Sequence, residues 1–347
     1  MSQKKFNNEK EEALLKELRS NGETVYSFSR LSTYHTCQYE YYKTYIERKK
    51  GIGNCYSEIG NFIHDYIEKV YRNTIEDTEN FQEKFKTKMA ELEILDMDFP
   101  NEVIKNSFSK DMKHFTANFK KMDGDFTTEK MFVVEIDGHY LMGYIDAVRH
   151  ISNETHIIDW KTSSKFTSGK LLKAGRQLVL YKMALESLHD IKIDKTMWNM
   201  LKYVYVCWEL KNKTIKKKMV NRGKIMKEMD TTFQKELKAA GMNDVEIFLA
   251  LETARQTNSF SDLPALIQEK FWLEDCLLVY EVNEEVEQEL RQYISSTIQE
   301  IESKNEKDAN AWPPLNMQTD SFYCNTLCNH RETCPFIKEY NKKHMNK

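Results

Sequence analysis

Near residue 128 the hydrophobic pattern changes from helical to strand-like, and the stretch up to 161 constrains the fold more than any other. Segments 129–137 and 139–149 read as two strands meeting at Asp137-Gly138, a dipeptide that readily forms a tight hairpin turn. A turn at Ser152-Asn153-Glu154 follows, then a strand at 155–161. Asp146 directly follows the apolar run Leu141 to Ile145, and Asp159 directly follows Ile157 and Ile158. A carboxylate at the end of a buried strand is costly unless it has a partner or a metal. Lys161 lies two residues beyond Asp159. Strand side chains repeat every second residue, so Asp159 and Lys161 share a face and Trp160 points the other way. Two carboxylates and one ammonium suit a hard divalent cation and an activated water, with the lysine orienting that water or balancing charge on a phosphate. An ordinary ion pair at a sheet edge is the plainer reading of Asp-x-Lys alone; the apolar flanks favour the metal.

The rest of the chain supplies helices and further strands. A charged, peripheral helix is expected over 4–20. A second is expected over 29–46, with Ser29 as N-cap, carrying Cys37, Tyr34, Tyr39, Tyr41, Tyr42 and Tyr45. Residues 58–72 carry the helical stripe Ile59, Phe62, Ile63, Tyr66, Ile67 and Val70. Segment 80–122 reads as amphipathic helix broken near Pro100. A helix over 169–188, a strand over 201–209, a further strand over 276–282 and a charged helix over 284–304 complete the pattern. With 11 Gly and 5 Pro in 347 residues the chain is poor in turn formers, which argues against an all-β protein. The expected class is α/β: a mixed central sheet flanked by helices. The expected organisation is an N-terminal helical extension over 1–26, a single domain over 27–336 and a polar tail over 337–347. Within the domain lie a helical insertion at about 211–270 and an irregular cysteine-bearing tail at 312–336.

Two further groups fit the carboxylate site. His64 sits at the edge of the apolar stripe of its helix, where an imidazole can reach a cleft while the stripe packs; alone, it reads better as a surface or capped core histidine. Gln177 and Tyr181 are four residues apart on a helix and share a face, which by itself reads as packing.

Together these pieces resemble the PD-(D/E)XK nuclease superfamily, in its RecB-type branch. The resemblance rests on Gly60-Asn-Phe-Ile-His64, Gly143-Tyr-Ile-Asp146, Ile158-Asp159-Trp-Lys161-Thr162 and Gln177-Leu-Val-Leu-Tyr181, in the family's order. It implies a restriction-endonuclease-like core in which His64, Asp146, Asp159 and the carbonyl of Trp160 ligate Mg2+ or Mn2+. Lys161 would position the attacking water, and Gln177 and Tyr181 would contact the strand or steady the site. Glu129 matches a frequent family acid. No proline precedes Asp146, which departs from the branch's habit.

Three of the seven cysteines, Cys324, Cys328 and Cys334, crowd into FYCNTLCNHRETCPF, while Cys37 lies far upstream. This resembles the iron–sulfur nucleases of the same branch, among them CRISPR-associated adaptation nucleases, the AddB subunit and phage exonucleases. There one cysteine before the core and three after it hold a 4Fe–4S cluster. Such a staple would close a loop of about 300 residues and restrain the unfolded chain. Three residues separate Cys324 from Cys328 where the family often has two. Zinc is the rival occupant, with His330 able to join or replace a thiolate. Cys55, Cys207 and Cys276 fall outside the pattern, and Cys207 reads as a buried small hydrophobe.

The formal charge of −3 does not exclude a nucleic-acid partner, since a local basic stretch is enough. The run 211–227, with Lys216, Lys217 and Lys218, reads equally as a phosphate contact or a solvated hairpin end. Arg30 beside the tyrosine-rich helix suits stacking of single-stranded bases on aromatics, although most of those tyrosines read as core. No apolar run reaches the roughly 18 residues of a membrane span and the start of the chain is polar, so a cytoplasmic protein of a bacterial or phage-infected cell is expected. The resulting expectation is a metal-dependent DNA exonuclease of recombination, repair or replication, acting on single strands or frayed ends. A helicase or recombination partner would have to be another chain, because no phosphate-binding GxxxxGK[ST] loop is present. The alternatives are a catalytically silent DNA-binding or partner-docking subunit and a structure-selective endonuclease.

Overall fold

A computed structural model describes residues 8–75, 80–166, 168–189 and 191–344. Strand pairing begins at the two hairpins. β2 (Asp125–Ile136) and β3 (His139–Ile151) turn through Asp137 and Gly138, at φ 50° and 82°. β3 and β4 (Glu154–Lys161) turn through Ser152 and Asn153, at φ 49° and 67°. Both central residues of each turn are left-handed, the geometry whose twist matches paired strands. β4 then pairs in parallel with β5 (Lys195–Glu209), across the helix α7 (Ser168–His189). The strand expected at 201–209 thus begins at Lys195.

The sheet has seven strands. β3 carries β2 on one side. On its other side lie β1 (Val25–Ser27), parallel, and then β4, antiparallel. β5 carries β4 and then β6 (Ile215–Asn221) on one side and β7 (Phe271–Tyr280) on the other. The sheet is therefore mixed, as expected, and the basic run contains its edge strand β6.

Helices cover both faces. α4 (Cys55–Tyr71), α5 (Phe81–Ile94) and α6 (Glu102–Ala117) pack Ile59, Ile63, Phe81, Phe108 and Met112 against Ala147, Ile158 and Trp160. Asn54 and Ser57 close a capping box that starts α4. On the other face, α7 and α11 (Glu284–Ser303) pack with α2 (Phe28–Thr36) and α3 (Gln38–Tyr41) around Leu178, Leu290, Ile294 and Trp312. The single helix expected over 29–46 is broken. Ser27, not Ser29, caps α2, Cys37 is extended at φ −153°, and residues 42–46 form a π-turn. The insertion folds as α8 (Ile225–Ala239), α9 (Asp244–Thr257) and α10 (Ala265–Lys270) over the ends of β6 and β7. α1 (Glu9–Ser20) is tied in more firmly than a peripheral helix: Leu15 and Leu18 are buried, and Glu11 accepts a 2.7 Å bond from the buried Lys130. α12 (Pro335–His344) follows the last cysteine and buries Ile337. No described helix is long and apolar enough to cross a membrane.

The C-terminal tail is held by an aromatic nail. Trp312 is fully buried, stacks on Tyr41 at 5.5 Å between ring centroids and meets Tyr34 edge-on at 6.3 Å. Its indole N–H donates to the Asn305 carbonyl. Trp312→Ala is expected to cost ~3–5 kcal/mol, the scale of a large aromatic deleted from a packed core. Urea unfolding measures it, and a loss below ~1 kcal/mol would mean that the tail is not anchored there.

Candidate active site

Along a regular strand Leu141, Ile145 and Ala147 would face one side of the sheet. In β3 they do not: Leu141, Ile145 and Val148 pack into the α7 layer, whereas Ala147 packs into the α4 layer. The alternation slips by one beside Asp146. On β2 the residue opposite Asp146 in register is Glu129, which adopts a left-handed φ of 50°. Glutamate is strained in that conformation, so neighbours must hold it. The Asn8 side chain accepts from the Met131 N–H and donates to the Glu129 carbonyl, bridging the kink. Arg72, the C-cap of α4, donates to the hydroxyl and carbonyl of Thr128 just before it.

On the other side of β3 the ladder to β4 ends at Ala147↔Ile158. Beyond it the strands part, and the Trp160 N–H donates to Asp146 Oδ2 at 2.9 Å. Asp159 follows at 1% exposure, on the face of β4 that looks to α7. Its Oδ2 lies 2.7 Å from Lys161 Nζ, yet no donor is aligned on that oxygen for a hydrogen bond. Burial pushes the Asp159 carboxyl well above its ordinary value; Lys161 pulls it down and Asp146 pushes it further up. Burial disfavours the Lys161 ammonium, but Asp159 and Asp146 outweigh it, and the net shift is upward. Lys161 donates to Gln177 Oε1 at 3.0 Å, and Gln177 Nε2 donates to the Tyr181 hydroxyl at 2.7 Å. From the opposite layer, His64 of α4 brings Nδ1 to 3.5 Å from Asp146 Oδ2 and sets its ring edge-on to Trp160. His64, Asp146, Asp159, Lys161, Gln177 and Tyr181 thus form one connected constellation at the point where β3 and β4 splay.

Glu129 completes it. Its carboxyl is pushed up to about 7, first by burial and then by the charges of Asp146 and Glu68, with Arg72 opposing. In the sequence it stood out only through the family resemblance, as the match to a frequent family acid. Asn8, which holds the kink from 121 residues away, had no such signal. Among the described residues, no group of three or more His, Cys, Asp or Glu side chains is assembled to hold a metal ion, at the carboxylates or at the cysteines. The donor set nevertheless fits a hard cation: carboxylate and imidazole donors around one opening, with a buried carboxylate oxygen lacking an aligned donor.

The cysteines meet elsewhere. Cys37 in the break after α2, Cys324 and Cys328 at the tail's π-turn, and Cys334 before α12 all line one small cavity. In that turn the Cys328 N–H reaches the Tyr323 carbonyl at 2.9 Å, five residues back. A π-turn takes up one residue more than an α-turn, and it spans the three residues between Cys324 and Cys328. Burial raises the Cys37, Cys324 and Cys328 thiols, and each of the last two is raised further by Cys37 and Cys334. The His330 N–H donates to Cys328 Sγ, while its Nε2 is engaged with the Thr44 hydroxyl. Four thiols lining one cavity are soft donors by type, although they are not assembled as a metal-holding group. Buried Glu40 clasps the tail, accepting from the Tyr323 hydroxyl at 2.6 Å and the Asn329 N–H at 3.0 Å.

The residues singled out for DNA contact are partly spoken for. The Arg30 guanidinium is stacked over Tyr26 at 4.5 Å and donates to the Tyr41 hydroxyl. Lys217 pairs with Glu274, and Lys218 donates to the Glu228 carbonyl. Lys216 is exposed on β6.

The family model of the PD-(D/E)XK nuclease superfamily matches residues 25–335. No curated protein matches the sequence.

The Glu129 shift carries a sign. Between its ordinary 4.5 and about 7, the folded chain keeps a proton that the unfolded chain has released. The stabilisation is therefore full below 4.5 and lost as pH rises through 7. In metal-free protein the melting temperature is expected to fall more steeply across that window in the wild type than in Glu129→Gln. Equal slopes would remove Glu129 from the buried acid cluster.

Proposed function

The chain belongs to the PD-(D/E)XK nuclease superfamily of metal-dependent nucleases, and on that premise we propose that it is a RecB-type DNA exonuclease acting on single strands or frayed ends. One observation carries the assignment of the site: Asp159 Oδ2 is buried beside Lys161 with no aligned donor, at the mouth formed by Asp146, His64 and Glu129. Carboxylate and imidazole groups converging on one opening beside that buried ion pair suit a hard cation.

Superfamily members typically use Mg2+ or Mn2+. In this reading His64, Asp146, Asp159 and the Trp160 carbonyl would hold the ion, which supplies positive charge against the phosphate and makes water more acidic. The chain's own residues do the positioning. Of the three Lys161 donors, one is directed at Gln177 and the ammonium also leans on Asp159. The remaining capacity suits a water or a phosphate oxygen. Gln177, fixed in turn by Tyr181, keeps the ammonium from swinging onto Asp159 alone. The Trp160 N–H holds Asp146 where the strands part. Partnership with a helicase in bacterial or phage recombination, repair or replication accords with the branch resemblance.

Asp159→Asn keeps the shape and removes the charge. Cleavage of end-labelled single-stranded DNA with Mg2+ or Mn2+ is expected to fall by on the order of 10^3-fold, as when one preorganised electrostatic group is removed. The melting temperature should change little. Label released from one end only would give exonuclease polarity; internal cutting would replace the exonuclease reading with an endonuclease. Undiminished cleavage by the variant would displace the site.

We further propose that Cys37, Cys324, Cys328 and Cys334 hold a 4Fe–4S cluster that locks the tail to α2 and α3. Protein prepared without oxygen should be coloured and carry iron and acid-labile sulfide. Cys334→Ala should lose colour and stability together. A colourless wild type with stoichiometric zinc would assign the site to zinc.

A further inference from the structure

α6 and the insertion face each other across an open cleft of about 1090 Å3, outside the carboxylate site. Its walls carry Lys110 and Lys113 from α6, Lys224 and Lys227 from the turn into α8, and Arg255 from α9. Each pair of lysines is three apart, so each presents both ammonium groups on one side of its turn. No Asp or Glu lines the cleft among the described residues, although Asp and Glu outnumber Lys and Arg by 54 to 51 in the whole chain. Arg255 is paired with Asp230. Among the described residues, none of the four lysines has an ion pair, and all four are exposed.

The walls are joined rigidly. Buried Asp111 of α6 accepts from the Gly223 N–H at 2.8 Å and from the Asn221 amide. Gly223 is required there: a Cβ would come within 2.8 Å of Lys110 Cβ and 3.0 Å of the Asp111 nitrogen. Buried Arg222 pairs with Asp275 of β7 below. The cations are thus held on a preformed surface. A neutral group waits among them: His114 lines the cleft, and its buried Nδ1 has no hydrogen-bond partner.

A further cation stands between the cleft walls and β4. Lys202 of β5 lies over the Phe108 ring of α6 at 5.3 Å and reaches Ser164 Oγ at 3.4 Å, three residues past Lys161. Burial lowers the Lys202 pKa; Asp111 partly restores it and Lys224 lowers it again. That crowding of cations is relieved by a polyanion. From this geometry we infer that the cleft between α6 and the insertion is a second DNA-binding site, gripping the sugar–phosphate backbone of the strand whose end lies at Asp159. The inference rests on the nuclease reading for the identity of the polyanion. It moves the DNA contact of the basic run from β6 to Lys224 and Lys227, and adds a wall from α6.

The test uses the full chain with Lys110, Lys113, Lys224 and Lys227 all changed to alanine, checked by thermal melting against the wild type. Binding of a long labelled DNA strand is measured without divalent metal over a range of salt. Cleavage of an oligonucleotide too short to span both sites is measured with Mn2+. The salt slope is expected to fall by about 0.7 for each phosphate that is no longer neutralised, up to about 3, with long-strand affinity ~10-fold weaker or worse. Cleavage of the short oligonucleotide should stay at the wild-type rate. Unchanged long-strand affinity and slope would overturn the inference, and so would an acidic protein competing for these lysines while DNA does not. The two readings fail separately. A wild type that binds the long strand through the lysines but cuts nothing sinks the nuclease reading alone. One that cuts normally while the variant binds like the wild type sinks the cleft alone.

Discussion

A carboxylate that is 1% exposed at the end of a strand is the constraint on which the site is built. Left alone, the Asp159 charge would be strongly destabilising in the sheet. Lys161 balances it but does not satisfy it, because the ammonium is shared with Gln177 and no donor is aligned on Oδ2. The surroundings follow from that need. β3 and β4 part where a continuing ladder would close the space, and Asp146 takes up the freed Trp160 N–H. β2 kinks at Glu129 opposite, held by Asn8 from one side and Arg72 from the other. The arrangement gathers more negative charge than Lys161 alone balances and is suited to a cation, as expected where local rules yield to function.

Two separate devices hold the frame around this opening. One is the clasp at the ends of the domain, where Glu40, Trp312 and the cysteine cavity bind the tail to the broken helix at Cys37. The other is the joint at Asp111 and Gly223, which fixes the insertion to α6. The first sits in the α7 layer and the second in the α4 layer, so both helical faces of the sheet are tied across long stretches of chain. The joint also aligns two lysine pairs that are more than 100 residues apart, beside a strand leading back to the carboxylates.

Legibility in the sequence followed the range of the interaction. The Asp137-Gly138 hairpin, the turn at Ser152, the stripe on α4 and the break before α6 are local, and each stands where its pattern placed it. Gln177 and Tyr181 share a face as their spacing requires, and their bond to Lys161 adds the chemistry. Other elements depended on distant partners. Ser27 outcompeted Ser29 as cap because β1 delivers it extended at the helix start. Residues 195–200 became strand because β4 and β7 pair on either side of them. Arg30 looked available for bases, but Tyr26, Tyr41 and Tyr45 surround it once β1 and α3 come together. Lys217 looked free until β7 brought Glu274 beside it.

Periodicity, turn dipeptides and the strand-end acids therefore determined the α/β class and singled out Asp146, Asp159 and Lys161, because these signals act over a few residues of backbone geometry; His64 entered through the family resemblance. Tertiary structure alone decided that β3 and β4 splay, that Asp159 is buried without an aligned donor, that Glu129 lies opposite Asp146, and which lysines remain unpaired. Those outcomes depend on side chains brought together from across the chain. Burial, the absence of a ladder partner and the neutralisation of a charge are properties of that assembled surface and not of any short segment.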